Sequence, residues 1–147
     1  MELQQKAKTD PNGLIPPYGG ELKNLIITDK NLQNDLISNV TYEFECSERN
    51  ACDVELLMVG AFSPLEGFMD ENNYKSVIKN NRDSNGFLFG LPIVFDSNNE
   101  EIKAGETILL TYKNQKIAVL EVSSKWEPDK SLEAELCYGT NSLDHPA

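Results

Sequence analysis

Apolar residues recur along this chain in two rhythms: three-and-four spacing dominates the first half, and short β-branched or aromatic runs dominate the second. Leu22, Leu25, Ile26 and Ile27 open the apolar content, and Thr28-Asp29 offers a cap for a short helix carrying Leu32, Leu36 and Ile37. Val40-Thr41-Tyr42-Glu43-Phe44-Glu45-Cys46 alternates as a strand with one buried face does. Asn50 or Asp53 is placed to cap a second helix with Val54, Leu57 and Met58 on its inner side. Gly60 is placed to end that helix, because glycine enters the left-handed region after a helix without steric cost. Asp70 caps a third helix, with Tyr74, Val77 and Ile78 on one face and Asn80-Asn81 closing it.

Phe87 to Phe95, Thr107 to Tyr112 and Lys116 to Val122 predict strands, separated by Asp96-Ser97-Asn98-Asn99 and by a tight Lys113-Asn114-Gln115 turn. Pro92, which has no N–H to donate, belongs at a strand edge or start. Pro128-Asp129 then opens a last helix through Leu132, Ala134 and Leu136, with Gly139 as its stop. Residues 1 to 13 are polar, hold Asp10-Pro11-Asn12-Gly13 and show no apolar period, so they read as a flexible N-terminal arm. Helices early, strands late and no alternating strand-helix rhythm predict an α+β or β-barrel architecture rather than a doubly wound sheet.

Composition narrows the partners. A chain of 147 residues suits one domain that buries a core without disulfides or metal. Against 24 acidic residues stand 13 basic ones, of which only Arg49 and Arg82 are arginine, giving a net charge of -11. Such a field repels phosphate backbones and anionic lipid, so nucleic acid and membrane surfaces are not expected partners. The longest uncharged apolar-rich run, Gly86 to Phe95, falls well short of the roughly 20 residues that cross a bilayer. Cys46, Cys52 and Cys137 form an odd set, and Met1-Glu2-Leu3-Gln4-Gln5 does not open a signal peptide; a reduced, cytoplasmic protein is the expectation.

Candidate chemistry is sparse. Ser63, in Gly60-Ala61-Phe62-Ser63-Pro64-Leu65-Glu66-Gly67-Phe68, needs a base to act as a nucleophile, and the single histidine, His145, sits in Asp144-His145-Pro146 near the chain end. Gly60 and Gly67 flank Ser63 at the wrong distances for a nucleophile elbow. The stretch therefore reads as a packed corner: Pro64 keeps Ser63 out of helical geometry, Gly60 and Gly67 supply backbone freedom, and Phe62, Leu65 and Phe68 bury it. Cys46 and Cys52 lack a second Cys or His pair at zinc spacing, so no metal site is expected. Asp70-Glu71, Glu100-Glu101 and Glu133 with Glu135 read as solvated faces or helix starts. Asn39-Val40-Thr41 matches the glycosylation pattern, a chance match in a reduced compartment, and no phosphate loop is present.

Taken in order, Ile15-Pro16-Pro17-Tyr18-Gly19-Gly20-Glu21-Leu22, Asp53-Val54-Glu55-Leu56-Leu57, Gly60 to Met69, Leu91-Pro92-Ile93-Val94-Phe95-Asp96, Gly105 and Asp144-His145-Pro146 resemble the N-terminal domain of ATP sulfurylase, the sulfate adenylyltransferase family. The resemblance implies a mainly β, PUA-like pseudo-β-barrel with flanking short helices over residues 14–147, with Gly60, Phe62, Ser63, Pro64, Leu65, Gly67 and Phe68 as a structural family motif. It also implies a partner, the family's Rossmann-like catalytic domain, which joins MgATP and sulfate to give adenosine phosphosulfate and pyrophosphate.

The family's Gln-x-Arg-Asn, His-x-x-His and Gly-Arg-Asp-His segments are missing. Ser47-Glu48-Arg49-Asn50 and Asn81-Arg82-Asp83-Ser84 imitate two of them without their Gln, Gly and His. Stabilising two anions as they meet takes Arg, His and a metal in a dry site, and this chain is poor in all of these. The expectation is a scaffold domain, inactive alone, without catalytic residues, bound substrate, metal or cofactor of its own; the sequence leaves open whether it forms a homo-oligomer. Two other readings stay open: a free-standing PUA-like RNA-binding module, which the missing basic stripe disfavours, and an acidic protein-interaction module.

Overall fold

Asp29 accepts hydrogen bonds from the N–H groups of Asn31 and Leu32 and starts α1 (Lys30–Ser38). The computed structural model describes residues 13–145, so all of the expected N-terminal arm except Gly13 lies outside the described residues. Strand β1 (Tyr42–Glu45) follows. The cap of α2 (Glu48–Met58) is Ser47, not Asn50 or Asp53: its hydroxyl accepts from the Asn50 N–H, and both expected caps lie inside the helix. Helix α3 (Glu71–Asn80) is capped by Asp70 and stopped by Asn81 at φ 54°. Helix α4 (Lys130–Tyr138) runs from the Asp129 cap to Gly139 at φ 73°, and both ends follow the expected chemistry.

Strands β2 (Thr107–Tyr112) and β3 (Gln115–Glu121) form an antiparallel hairpin. Its two-residue turn, Lys113-Asn114, has φ of 49° and 61°, the doubly left-handed turn whose twist matches that of the strands. Strand β1 pairs in parallel with β2, Tyr42 opposite Ile108 and Glu45 opposite Thr111, so the sheet order is β1-β2-β3. The Glu45 carboxylate ties the sheet to the turn, accepting from the Lys113 N–H at 2.8 Å and the Thr111 hydroxyl at 2.6 Å.

The α+β class holds, but the sheet is open and the helices cover more of the chain than the strands. The pseudo-β-barrel that the family resemblance implied appears among the described residues as this three-stranded sheet flanked by short helices, without closure into a full barrel. Phe87 to Phe95 shows the reason, because it makes only one bridge, Leu88 to Arg82, in place of a ladder. Pro92 lacks an N–H, and the run is held at separate points instead, by Phe89 N–H to the Asn81 carbonyl and by Met69 N–H to the Ile93 carbonyl. Phe95 reaches the core, its ring 5.2 Å from Phe44 and 5.4 Å from Phe68.

The central strand β2 carries the core. Ile108 and Leu110 pack with Cys46, Ala51, Val54 and Ile102, while Leu109, on the opposite face by strand alternation, is also buried. Tyr74, Val77 and Ile78 are the buried face of α3. By contrast, α1 and α4, nine residues each, bury no residue fully. Helices this short do not persist alone in water, so both depend on what they lie against.

Helix α4 is held to α3 by the Tyr74 hydroxyl, which donates to Glu133 Oε2 at 2.5 Å, and the Trp126 ring sits 5.2 Å from the Tyr74 ring. Burial first, and the Glu133 carboxylate second, hold the Tyr74 phenol well above its ordinary range. Because the folded state keeps this proton after the unfolded chain has lost it, stability is full below pH about 10 and falls as pH rises above it. Tyr74→Phe is expected to cost about 1.5 kcal/mol at neutral pH, the worth of a hydrogen bond to a charged group. Urea midpoints of the two proteins should keep a constant gap up to pH about 10 and draw together above it; a gap that stays unchanged above pH about 10 would contradict this placement of the phenol.

Candidate functional site

The corner from Gly60 to Phe68 is built where α2 stops. Gly60 adopts φ 80° just after the last helical turn, and the Ala61 N–H returns to the Leu56 carbonyl at 2.8 Å. The chain then reverses through Ser63 N–H to the Gly60 carbonyl and Leu65 N–H to the Phe62 carbonyl, with a cis bond between Ser63 and Pro64. Ser63 is only 6% exposed. Its hydroxyl donates to the Gly60 carbonyl at 2.6 Å and accepts from the Lys23 N–H at 2.9 Å.

That oxygen is therefore a brace between the corner and the strap of residues 18–24, and its proton is already committed. His145 lies beside the Tyr138 ring at the end of α4, with 5.1 Å between ring centroids. The structure gives Ser63 backbone partners where a nucleophile needs a base.

The strap fits the corner closely. A Cβ on Gly19 would stand 2.6 Å from Pro64 Cβ, and one on Gly60 would stand 2.8 Å from Leu22 Cδ1 and 2.9 Å from the Lys23 carbonyl oxygen. Tyr18 fastens the strap's other side. Its hydroxyl accepts from the Leu88 N–H at 2.7 Å, and its ring meets Phe87 edge-on at 5.7 Å. Lys23 pairs with Glu66 at 2.8 Å and with Glu21 at 3.2 Å, which raises the lysine and lowers Glu66 from their ordinary values. These pairs face solvent and orient the strap more than they stabilise it.

Of the corner's aromatic and aliphatic members, Phe62, Leu65 and Phe68 are each half-buried. Gly67 has neither a positive φ nor a neighbour that a Cβ would meet, and nothing in the structure explains a glycine there.

Beside the corner lies a groove of about 1290 Å³, bounded by Ile26 and Ile37, by Val119 and Leu120 of β3, and by Leu65 and Phe68. Its charged lining mixes Lys23, Lys30 and Lys116 with Glu66, Asp70 and Glu121. It thus lacks the converging cations that hold a bound anion elsewhere.

The imitated motifs serve structure. Ser47 caps α2, and the Asn50 amide donates to the Asp96 carbonyl at 3.2 Å. Arg82 donates to the Gly86 carbonyl at 3.0 Å. Asp83, itself buried, accepts from the N–H groups of Asn85 and Phe87 and closes the turn after α3. Asn39 caps α1, its amide donating to the Asp35 carbonyl at 3.0 Å.

All three cysteines are free thiols, Cys46 buried, Cys52 exposed and Cys137 in between. Burial, then a neighbouring glutamate, pushes Cys46 and Cys137 up, away from the thiolate form that binds metals. Among the described residues no three His, Cys, Asp or Glu side chains come together as a group that could hold a metal ion. Nor is any helix of the described residues long and apolar enough to cross a membrane.

Sequence reasoning missed two features: the fit of Gly19 on Pro64, and the Tyr74–Glu133 link with Trp126 beside it. The first was signalled only by adjacent glycines after a tyrosine. The second joins residues 59 positions apart and had no local sign.

Several known proteins are similar to this chain in sequence or fold. The chain is 40% identical over 141 residues to the sulfate adenylyltransferase of Neurospora crassa, an alignment covering 90% of this chain and 24% of the relative. The Schizosaccharomyces pombe enzyme of the same name is 40% identical over 134 residues, covering 86% of this chain and 27% of the relative. The one from Vesicomyosocius okutanii is 36% identical over 137 residues, covering 90% and 34%.

The chain thus spans about a quarter to a third of the length of these curated relatives, and it matches their N-terminal region. Among solved structures, a hexameric APS kinase from Thiobacillus denitrificans superposes with a TM-score of 0.69 at 30% identity, over 80% of this chain and 24% of that one. Residues 15–147 match the PUA-like domain family, and the chain belongs to that family.

Proposed function

We propose that this chain is the non-catalytic N-terminal domain of a sulfate adenylyltransferase, a scaffold whose partner is the catalytic remainder of that enzyme. The observation that carries this reading is the 40% identity over 141 residues to a sulfate adenylyltransferase of which the chain spans only 24%. The site geometry supports it. Residues that imitate catalytic motifs are spent on helix caps and turns, and the serine of the corner braces a strap. The net charge of -11 opposes binding of ATP, sulfate or RNA by long-range repulsion. MgATP and sulfate are, on this reading, handled by the other part of the enzyme.

Three free thiols fit a reducing, cytoplasmic setting. A parent assembled from several copies is in keeping with the hexamer named for the solved neighbour. The test is direct. Incubated with ATP, sulfate and magnesium, the chain should release pyrophosphate no faster than a protein-free control, and sustained turnover would refute the assignment of catalysis to the other domain.

A further inference from the structure

Helix α4 presents two faces of different character. Glu133 and Cys137 lie on the side turned to α3, where Tyr74 binds Glu133. Leu132 and Leu136, four residues apart and so stacked on one face, are 40% and 41% exposed. Glu127, Asp129 and Glu135 are exposed around them, against one exposed cation of the helix, Lys130 at its first turn. The result is a small apolar centre within an acidic rim, the anatomy of a protein interface rather than of a solvated helix.

What covers it follows from the relatives, on the functional reading given above. The chain matches the N-terminal region of enzymes three to four times its length, so in them the rest of the polypeptide follows the region that contains α4. A tethered domain meets the surface nearest its tether at high effective concentration. A domain that gathers ATP and sulfate also carries the cations that an acidic rim attracts. We propose that the Leu132–Leu136 face of α4 is the seat on which the following catalytic polypeptide docks, through an apolar patch edged by Lys or Arg. The groove between α1 and β3 is larger, but its mixed charge selects no partner.

The experiment exchanges the matched N-terminal region of the Schizosaccharomyces pombe relative for this chain and compares hydrogen exchange in the chimera and in the isolated chain. Amides of residues 132–138 should exchange at least tenfold more slowly in the chimera, while the core amides of Leu109 and Leu110 stay unchanged. Glu135→Lys, which reverses a rim charge without entering the core, should return much of the fast exchange in the chimera only.

Equal exchange of α4 in both proteins, with slowing at residues 30–38 instead, overturns the proposal. Formation of adenosine phosphosulfate by the chimera reports separately on the functional reading. An active chimera with unprotected α4 defeats the docking face alone; an inactive one with protected α4 defeats the functional reading and leaves the face standing.

Discussion

Leu110→Ala is expected to lower the unfolding free energy by about 2–5 kcal/mol, the range for emptying a well-packed leucine site. Leu110 is 1% exposed and packs with Cys46, Val54 and Ile108. It sits on the strand that is hydrogen-bonded on both edges, to β1 through the Phe44 register and to β3 through Ala118. A strand held on two sides cannot slide inward to fill the space, so the cavity term adds to the lost transfer energy. Against a total stability of roughly 5–15 kcal/mol this is a large share. Urea denaturation should show a lower midpoint at unchanged slope. Leu143→Ala is the control: that side chain is 101% exposed, and the change should fall within about 0.5 kcal/mol. Similar losses for the two variants would mean that β2 is not the centre of the core.

Gly60→Ala should cost about 2–3 kcal/mol, the second largest effect, from two sources. The first is conformational, since φ is 80° and an L-residue in that region pays about 1–2 kcal/mol. The second is contact, because the new methyl would stand 2.9 Å from the Lys23 carbonyl oxygen, a backbone atom that no side-chain rotation can move. Relief requires the strap to lift, which also strains the bond from the Lys23 N–H to Ser63. Gly67→Ala, seven residues on in the same corner, meets nothing and has ordinary backbone, so it should be neutral or gain a few tenths of a kcal/mol. Thermal melts of the two variants separate a glycine required by geometry from one that is not. Matching melting temperatures would remove Gly60 from that role.

Several elements were legible because their signals are local. Asp29, Asp70 and Asp129 cap helices through contacts two or three residues away, and Gly60, Asn81 and Gly139 stop helices through their own backbone angles. The hairpin at Lys113-Asn114 is likewise set by adjacent residues. The Ser47 cap was misplaced by three residues because Ser47, Asn50 and Asp53 all carry capping side chains, and only packing of the Ala51–Val54 face against β2 chooses among them.

The β-forming composition of Phe87 to Phe95 predicts a strand, yet composition does not supply a neighbour to pair with. The candidate site was legible as an order of short motifs and as a lack of bases and cations near Ser63. Its actual use, a hydroxyl that clamps a strap forty residues away in sequence, was not legible.

By itself, then, the amino-acid order determined where α1, α3 and α4 begin and where α2, α3 and α4 end, the α+β class, the acidic field and the family to which the corner points. Tertiary structure alone decided that the sheet stays open, that β2 is buried on both faces, that Gly19 seats Pro64 and that Tyr74 holds α4 through Glu133. The division has one physical reason. Caps, turns and left-handed stops are energies of a few adjacent residues, whereas pairing, close approach and buried hydrogen bonds depend on which distant groups the folded chain brings within a few ångströms.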